Sequence, residues 1–79
     1  MKLVKTQVCL YIYEELLNNK FINTTEIRQK FNLEDKTFSR YINEIRSYLY
    51  NFYTGKEIVY LRSKQIYKLV SYTNDTNFW

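Results

Sequence analysis

Residues 23–45, NTTEIRQKFNLEDKTFSRYINEI, constrain the fold more than any other part of the chain. Asn23 offers a helix-capping oxygen, and Glu26 follows three residues later, as in a capping box. Asn32 is well suited to the left-handed residue that ends a helix. The segment therefore predicts a helix over about 24–31, a tight turn, and another helix.

This next helix, the third of the chain, is expected to begin at Asp35, or at Glu34 if the cap falls one residue earlier. On a wheel of 100° per residue its two faces separate cleanly. The apolar face comprises Phe38, Ile42, Ile45 and Leu49. The opposite face carries Lys36, Arg40, Asn43 and Ser47. One side is thus predicted to be core and the other to face solvent or a partner.

The first helix is predicted over about residues 3–18, and its apolar positions cover more than half of its circumference. Most of this wide face, including Cys9, is interpreted as core, because a first helix in a three-helix domain touches both others. Leu10, Tyr13 and Leu17 lie in the outer part of the face. They form a candidate surface for a homodimer or another partner.

The second half of the chain predicts a β-hairpin. Lys20-Phe21-Ile22 is interpreted as a short extended link between the first and second helices. After the third helix, the loop YNFYTGKE turns at Gly55. Two β-rich runs, Ile58–Leu61 and Ile66–Val70, then flank the polar tip RSKQ. Residues 71–79 are interpreted as a tail, whose Phe78 and Trp79 are expected to pack on the body or on a partner.

Composition narrows the classes of function. The chain has no histidine and one cysteine, so neither a zinc motif nor the usual general base can be assembled. No catalytic, metal or cofactor site is predicted, and the protein is not expected to be an enzyme. The sequence lacks a membrane span or signal-peptide pattern, which predicts a cytoplasmic protein.

The net charge of +4 is unevenly distributed. Residues 1–35 carry equal numbers of basic and acidic side chains. Residues 36–70 carry seven basic and two acidic side chains, giving +5, and Asp75 accounts for the remaining −1. The positive half suits a polyanionic partner, although ordinary solubility would explain it as well.

The order helix, helix-turn-helix, hairpin is the layout of a winged helix-turn-helix domain, here residues 1–70. It is mainly α with a small β-hairpin, three helices plus a two-stranded wing. INTTEIRQKFNLEDKTFSRYINEI and the later Tyr67-Lys68-Leu69 resemble the amino-terminal DNA-binding domains of DeoR-type and WYL-type bacterial regulators. The Asn-, Lys- and Tyr-rich composition favours a bacterial, phage or mobile-element source.

The resemblance implies a transcriptional regulator that binds double-stranded DNA. The third helix would enter the major groove through Lys36, Thr37, Ser39, Arg40, Asn43 and Ser47. Arg40 would pair with guanine, Asn43 with adenine, and Thr37 with phosphate. Arg62 and Lys64 on the wing would reach the flanking backbone or minor groove, and Arg46 and Lys56 would add to the positive field.

A second hypothesis stays open because of three features: the acidic pair Glu34-Asp35, the apolar outer face of the first helix, and the aromatic tail. Glu34 and Asp35 replace the family's capping Ser and the basic or neutral residue after it, and they would repel DNA. A carboxylate at a helix start is also explained by the helix dipole and a cap bond. The alternative is a small phage protein that binds a protein partner, for example as an anti-CRISPR inhibitor. Tyr41, Tyr48 and Phe52, which could stack bases, are interpreted as core or hairpin packing instead.

Overall fold

A computed structural model describes residues 4–52 and 54–71 of the chain. Within these residues the chain forms three helices and a small three-stranded antiparallel sheet, and helix predominates. The elements are α1 (Lys5–Asn19), β1 (Phe21–Asn23), α2 (Thr24–Phe31), α3 (Asp35–Asn51), β2 (Lys56–Leu61) and β3 (Ile66–Ser71). None of the helices in the described ranges is long and apolar enough to cross a membrane.

The predicted helix boundaries of residues 23–35 are confirmed. Asn23 Oδ1 accepts a hydrogen bond from the Glu26 N–H at 3.0 Å, which satisfies one of the free donors at the start of α2. Asn32 ends the helix in the left-handed conformation, with φ 55°. Leu33 then folds back, because its N–H donates to the Arg28 carbonyl at 2.8 Å.

The sheet corrects one prediction. The link through Phe21 and Ile22 is a strand, β1, which pairs antiparallel with β3 in the order β1-β3-β2. Phe21 lies opposite Lys68, and the Leu69 N–H donates to the Lys20 carbonyl at 2.9 Å. The two-stranded hairpin is therefore part of a three-stranded sheet. A three-residue strand has too little local signal to be identified without its distant partner.

The core lies between the three helices and one face of the sheet. Its buried members are Val8, Ile12, Leu16, Ile22, Ile27, Phe38, Ile42, Ile45, Leu49, Ile58 and Leu69. Ile58 and Leu69 are opposite each other across β2 and β3, so they present a continuous apolar face to the helices. Cys9, expected in the core, is half-buried at its margin and packs against it.

Candidate nucleic-acid interface

The third helix has one buried face and one polar face, as the sequence predicts. Phe38, Ile42, Ile45 and Leu49 are each at most 5% exposed. Lys36, Arg40, Asn43 and Ser47 are all exposed on the other side. Burial of the apolar face against α1 and the sheet fixes the rotation of the helix about its axis. The polar face consequently points away from the molecule over about three turns.

Two cations on this face, Lys36 and Arg40, have no partner among the residues that the structure describes. No hydrogen bond or ion pair of the Lys36 or Arg40 side chain is found within residues 4–52 and 54–71. Neither side chain would have to give up a contact within the described fold in order to bind an anion. Thr37 and Ser39 are half-buried at the two borders of the face. They lie where short hydroxyl side chains could meet a partner that covers the helix.

Arg46 is hydrogen-bonded within the fold, and the groups that it contacts are uncharged. Its Nη2 donates to the Ile58 carbonyl oxygen at 3.2 Å, and its guanidinium carbon lies 5.8 Å from the centre of the Tyr67 ring. Its Nη1 also donates to Asn43 Oδ1 at 3.3 Å. This bond orients the Asn43 amide, leaving its NH₂ group available to a partner.

The hairpin tip carries Arg62 and Lys64 on exposed positions of a four-residue turn. The Lys64 N–H donates to the Leu61 carbonyl at 3.2 Å, and Gln65 has φ 54°. The Gln65 carbonyl accepts from the Thr24 N–H at 3.1 Å, which ties the tip to the first residue of α2. This tie was not visible in the sequence, because it depends on the pairing of β1 with β3.

Tyr67 connects the hairpin with α3. Its ring packs edge-on against Phe38, with centroids 5.6 Å apart, and lies 4.7 Å from the ring of Tyr60. Burial raises the pKa of the Tyr67 hydroxyl, partly offset by the nearby Arg46 charge. Because Tyr67 is next to Ile66 at the base of the tip, the contact with Phe38 brings the tip to the amino-terminal end of α3. Arg62 and Lys64 thus lie toward the same end as Lys36.

The acidic pair is only partly compensated. Asp35 lies 3.9 Å from Arg28, whose Nε donates to the Leu33 carbonyl at 3.1 Å. Glu34 is the N-cap residue of α3, but its side chain makes no capping hydrogen bond; its backbone carbonyl accepts from Phe38 instead. The expected cap bond is therefore absent at Glu34. Both carboxylates still interact favourably with the helix dipole at the start of α3.

A second surface runs between α1 and α3. Leu10 is 61% exposed and Leu17 is 38% exposed, while Tyr13 is half-buried. The sequence pattern predicts core or hairpin packing for Tyr41, Tyr48 and Phe52. Tyr41 does pack against the core, but Tyr48 and Phe52 are 47% and 69% exposed and extend this surface. The Tyr48 ring packs edge-on against Tyr13, with centroids 6.0 Å apart, and in a tilted arrangement against Phe52, with centroids 5.2 Å apart. On the helical wheel, Tyr48 and Phe52 lie beside the apolar face of α3. At such positions the sequence pattern does not distinguish a buried side chain from one at the edge of the core.

A groove of about 390 Å³ lies along this surface. It is lined by Lys5, Thr6, Cys9, Leu10, Tyr13, Glu44, Ile45 and Tyr48. Lys5 and Glu44 form an exposed ion pair of 3.1 Å at its edge. Burial raises the pKa of Cys9, and burial followed by the proximity of Tyr48 raises that of Tyr13. Phe78 and Trp79, also expected to form a partner surface, lie outside the described residues.

Comparison of the chain with protein-family models, curated proteins and solved structures finds no match in any of the three. Within residues 4–52 and 54–71, no three His, Cys, Asp or Glu side chains are grouped so that they could hold a metal ion. The physical arrangement of the two surfaces is therefore what bears on function.

Proposed function

We propose that the protein is a winged helix-turn-helix DNA-binding protein that acts as a sequence-specific transcriptional regulator. The observation that carries this proposal is the polar face of α3, where Lys36 and Arg40, unpartnered within the described part of the chain, lie beside an oriented Asn43 amide. A helix with an exposed face of this kind fits the major groove of B-DNA, which admits an α-helix. Cationic and amide side chains are those that read guanine and adenine edges.

The hairpin supports the same mode of binding. Arg62 and Lys64 lie on a turn tied to α2 and brought to the amino-terminal end of α3. With α3 in the major groove, these two cations would contact the backbone or minor groove beside it, fixing the orientation of the helix. Arg46 then serves to hold α3 on the sheet rather than to contact DNA.

The test is binding of the full chain to a mixed-sequence duplex at several salt concentrations. Wild-type affinity is expected to fall steeply with salt, because bound Lys and Arg release condensed counterions. Lys36→Ala with Arg40→Ala should weaken binding by about 10- to 100-fold and flatten the salt dependence. The matched control, Lys30→Ala with Lys68→Ala, removes the same charge from other exposed surfaces and should have a much smaller effect.

Glu34→Gln tests the role of the Glu34 carboxylate, which makes no capping hydrogen bond to α3. Removing a negative charge at the end of α3 should tighten DNA binding, whereas Glu26→Gln in α2 should change it much less. Equal DNA affinities of the Lys36→Ala, Arg40→Ala variant and its Lys30→Ala, Lys68→Ala control would contradict DNA recognition through α3. Absence of binding even at about 50 mM salt would contradict DNA binding altogether and favour a protein partner.

A further inference from the structure

We propose that the protein forms a two-fold homodimer through the outer side of α1. Thr6, Leu10, Tyr13 and Leu17 define this surface, here named the α1 seam. The inference deepens the proposed function, on which its biological role rests, since a dimer would present two α3 helices to DNA. The dimerisation surface itself is argued from contacts that involve no DNA.

The spacing of the α1 seam is that of paired helices. Its members follow one another at intervals of four, three and four residues, which is the spacing of the a and d positions of a helical seam. The inner side of α1 is already used, because Val8, Ile12 and Leu16 are at most 4% exposed in the core. The α1 seam therefore lies on the outer side of the helix, where no described element covers Leu10.

The shape of the surface is self-complementary. An isologous interface requires that one surface carry both a projection and the depression that receives it. Leu10 projects from α1 with 61% of its area exposed, and it borders the groove lined by Cys9 and Ile45. Tyr48 and Phe52 widen the apolar surface on the α3 side. A second copy rotated by two-fold symmetry could place its Leu10 in this groove.

Charge favours a second copy at this surface over the basic faces of the chain. A chain of net charge +4 repels its own copies through its basic surfaces, namely the polar face of α3 and the hairpin tip. The charges lining the groove, Lys5 and Glu44, are already paired at 3.1 Å and cancel. The surface also lies about 110° around α3 from the polar face, so pairing through it leaves Lys36 and Arg40 accessible.

The experiment is sedimentation velocity of the full chain without DNA, over about 5–500 µM. As the concentration of the wild-type protein increases, its apparent mass should rise from that of one chain towards twice that value. Leu10→Gln with Leu17→Gln should weaken the dimer at least tenfold, because it replaces apolar contacts of the seam by a good helix former that is polar. The matched control, Phe21→Gln with Tyr50→Gln, removes two exposed apolar side chains outside the seam and should leave the dimer unchanged.

Alkylation of Cys9 provides a second readout on the unsubstituted chain. Cys9 lines the groove, so its reaction with iodoacetamide should slow as protein concentration rises and the dimer forms. A monomeric mass at all concentrations, or equal effects of the seam variant and its control, would overturn the proposal. A strict monomer that still binds DNA would refute the dimer alone, and a dimer that fails to bind DNA would refute the proposed function alone.

Discussion

Arg40 and Arg46 lie on the same helix and point about 120° apart around its axis. Arg40 is exposed, with no hydrogen bond or ion pair among the described residues. Arg46 bonds the Ile58 carbonyl and lies over the Tyr67 ring. The same residue type thus has two uses, and its position relative to the buried face of α3 decides which.

This difference predicts opposite effects of two alanine substitutions. Arg46→Ala should lower the free energy of unfolding by about 1–3 kcal/mol, because it leaves the Ile58 carbonyl without its charged donor. Arg40→Ala should stay within about 0.5 kcal/mol of wild type while weakening DNA binding. Urea denaturation measures the first effect and duplex binding the second. Equal losses of stability would contradict the assignment of Arg46 to the fold.

The two helix starts on either side of the turn are capped differently. Asn23 bonds the Glu26 N–H through its side chain, and it also ends β1, so one residue joins the sheet to α2. Glu34 occupies the corresponding place before α3 without a side-chain bond. Packing of α3, which is twice as long as α2, holds that helix start without a side-chain cap.

Asn23→Ala is therefore expected to lower the free energy of unfolding by about 1 kcal/mol. Asn23→Asp should keep most of the wild-type stability. Glu34→Ala should cost only about 0.3–1 kcal/mol, from the lost interaction with the helix dipole, and this loss should fade in high salt. Thermal or urea unfolding of the three variants measures the difference. A larger loss at Glu34 than at Asn23 would show that the capping geometry does not govern these ends.

At the scale of the molecule, within residues 4–52 and 54–71, burial raises the pKa of Cys9, Tyr13 and Tyr67 above the ordinary values of 9.0 for the thiol and 10.0 for the phenols. In the folded chain these groups hold their protons to higher pH than in the unfolded chain. The unfolded state consequently binds fewer protons in the alkaline range. The stability contribution is complete below the ordinary values and is lost as pH rises through the raised ones.

The free energy of unfolding should thus decline between about pH 8 and 11. Tyr13→Phe with Tyr67→Phe should flatten this decline, because two of the responsible protons are removed. Tyr50→Phe, which removes a hydroxyl from a ring that is 79% exposed, is the matched control. Urea titrations at successive pH values measure the slope. A slope unchanged in the double variant would contradict the role of these hydroxyls.

Local chemistry was sufficient for the helices and for the division of α3 into two faces. The Asn23 cap, the left-handed Asn32 and the 3.6-residue period each act within a few residues, so the amino-acid order alone determines them. The same holds for the hairpin runs, although the strands extend to Lys56 and Ser71 beyond the expected ends. Exposure of Lys36 and Arg40 followed directly from the apolar face opposite them.

Tertiary structure decided what depends on residues far apart in the chain. The pairing of β1 with β3 turns an apparent link into a strand and ties the hairpin tip to α2. The Arg46 side chain is bonded to a carbonyl on β2, while Tyr48 and Phe52 are left exposed because no described element covers them. Periodicity specifies which side of a helix is apolar; packing between distant segments determines how much of that side is buried and which surface is left to a partner.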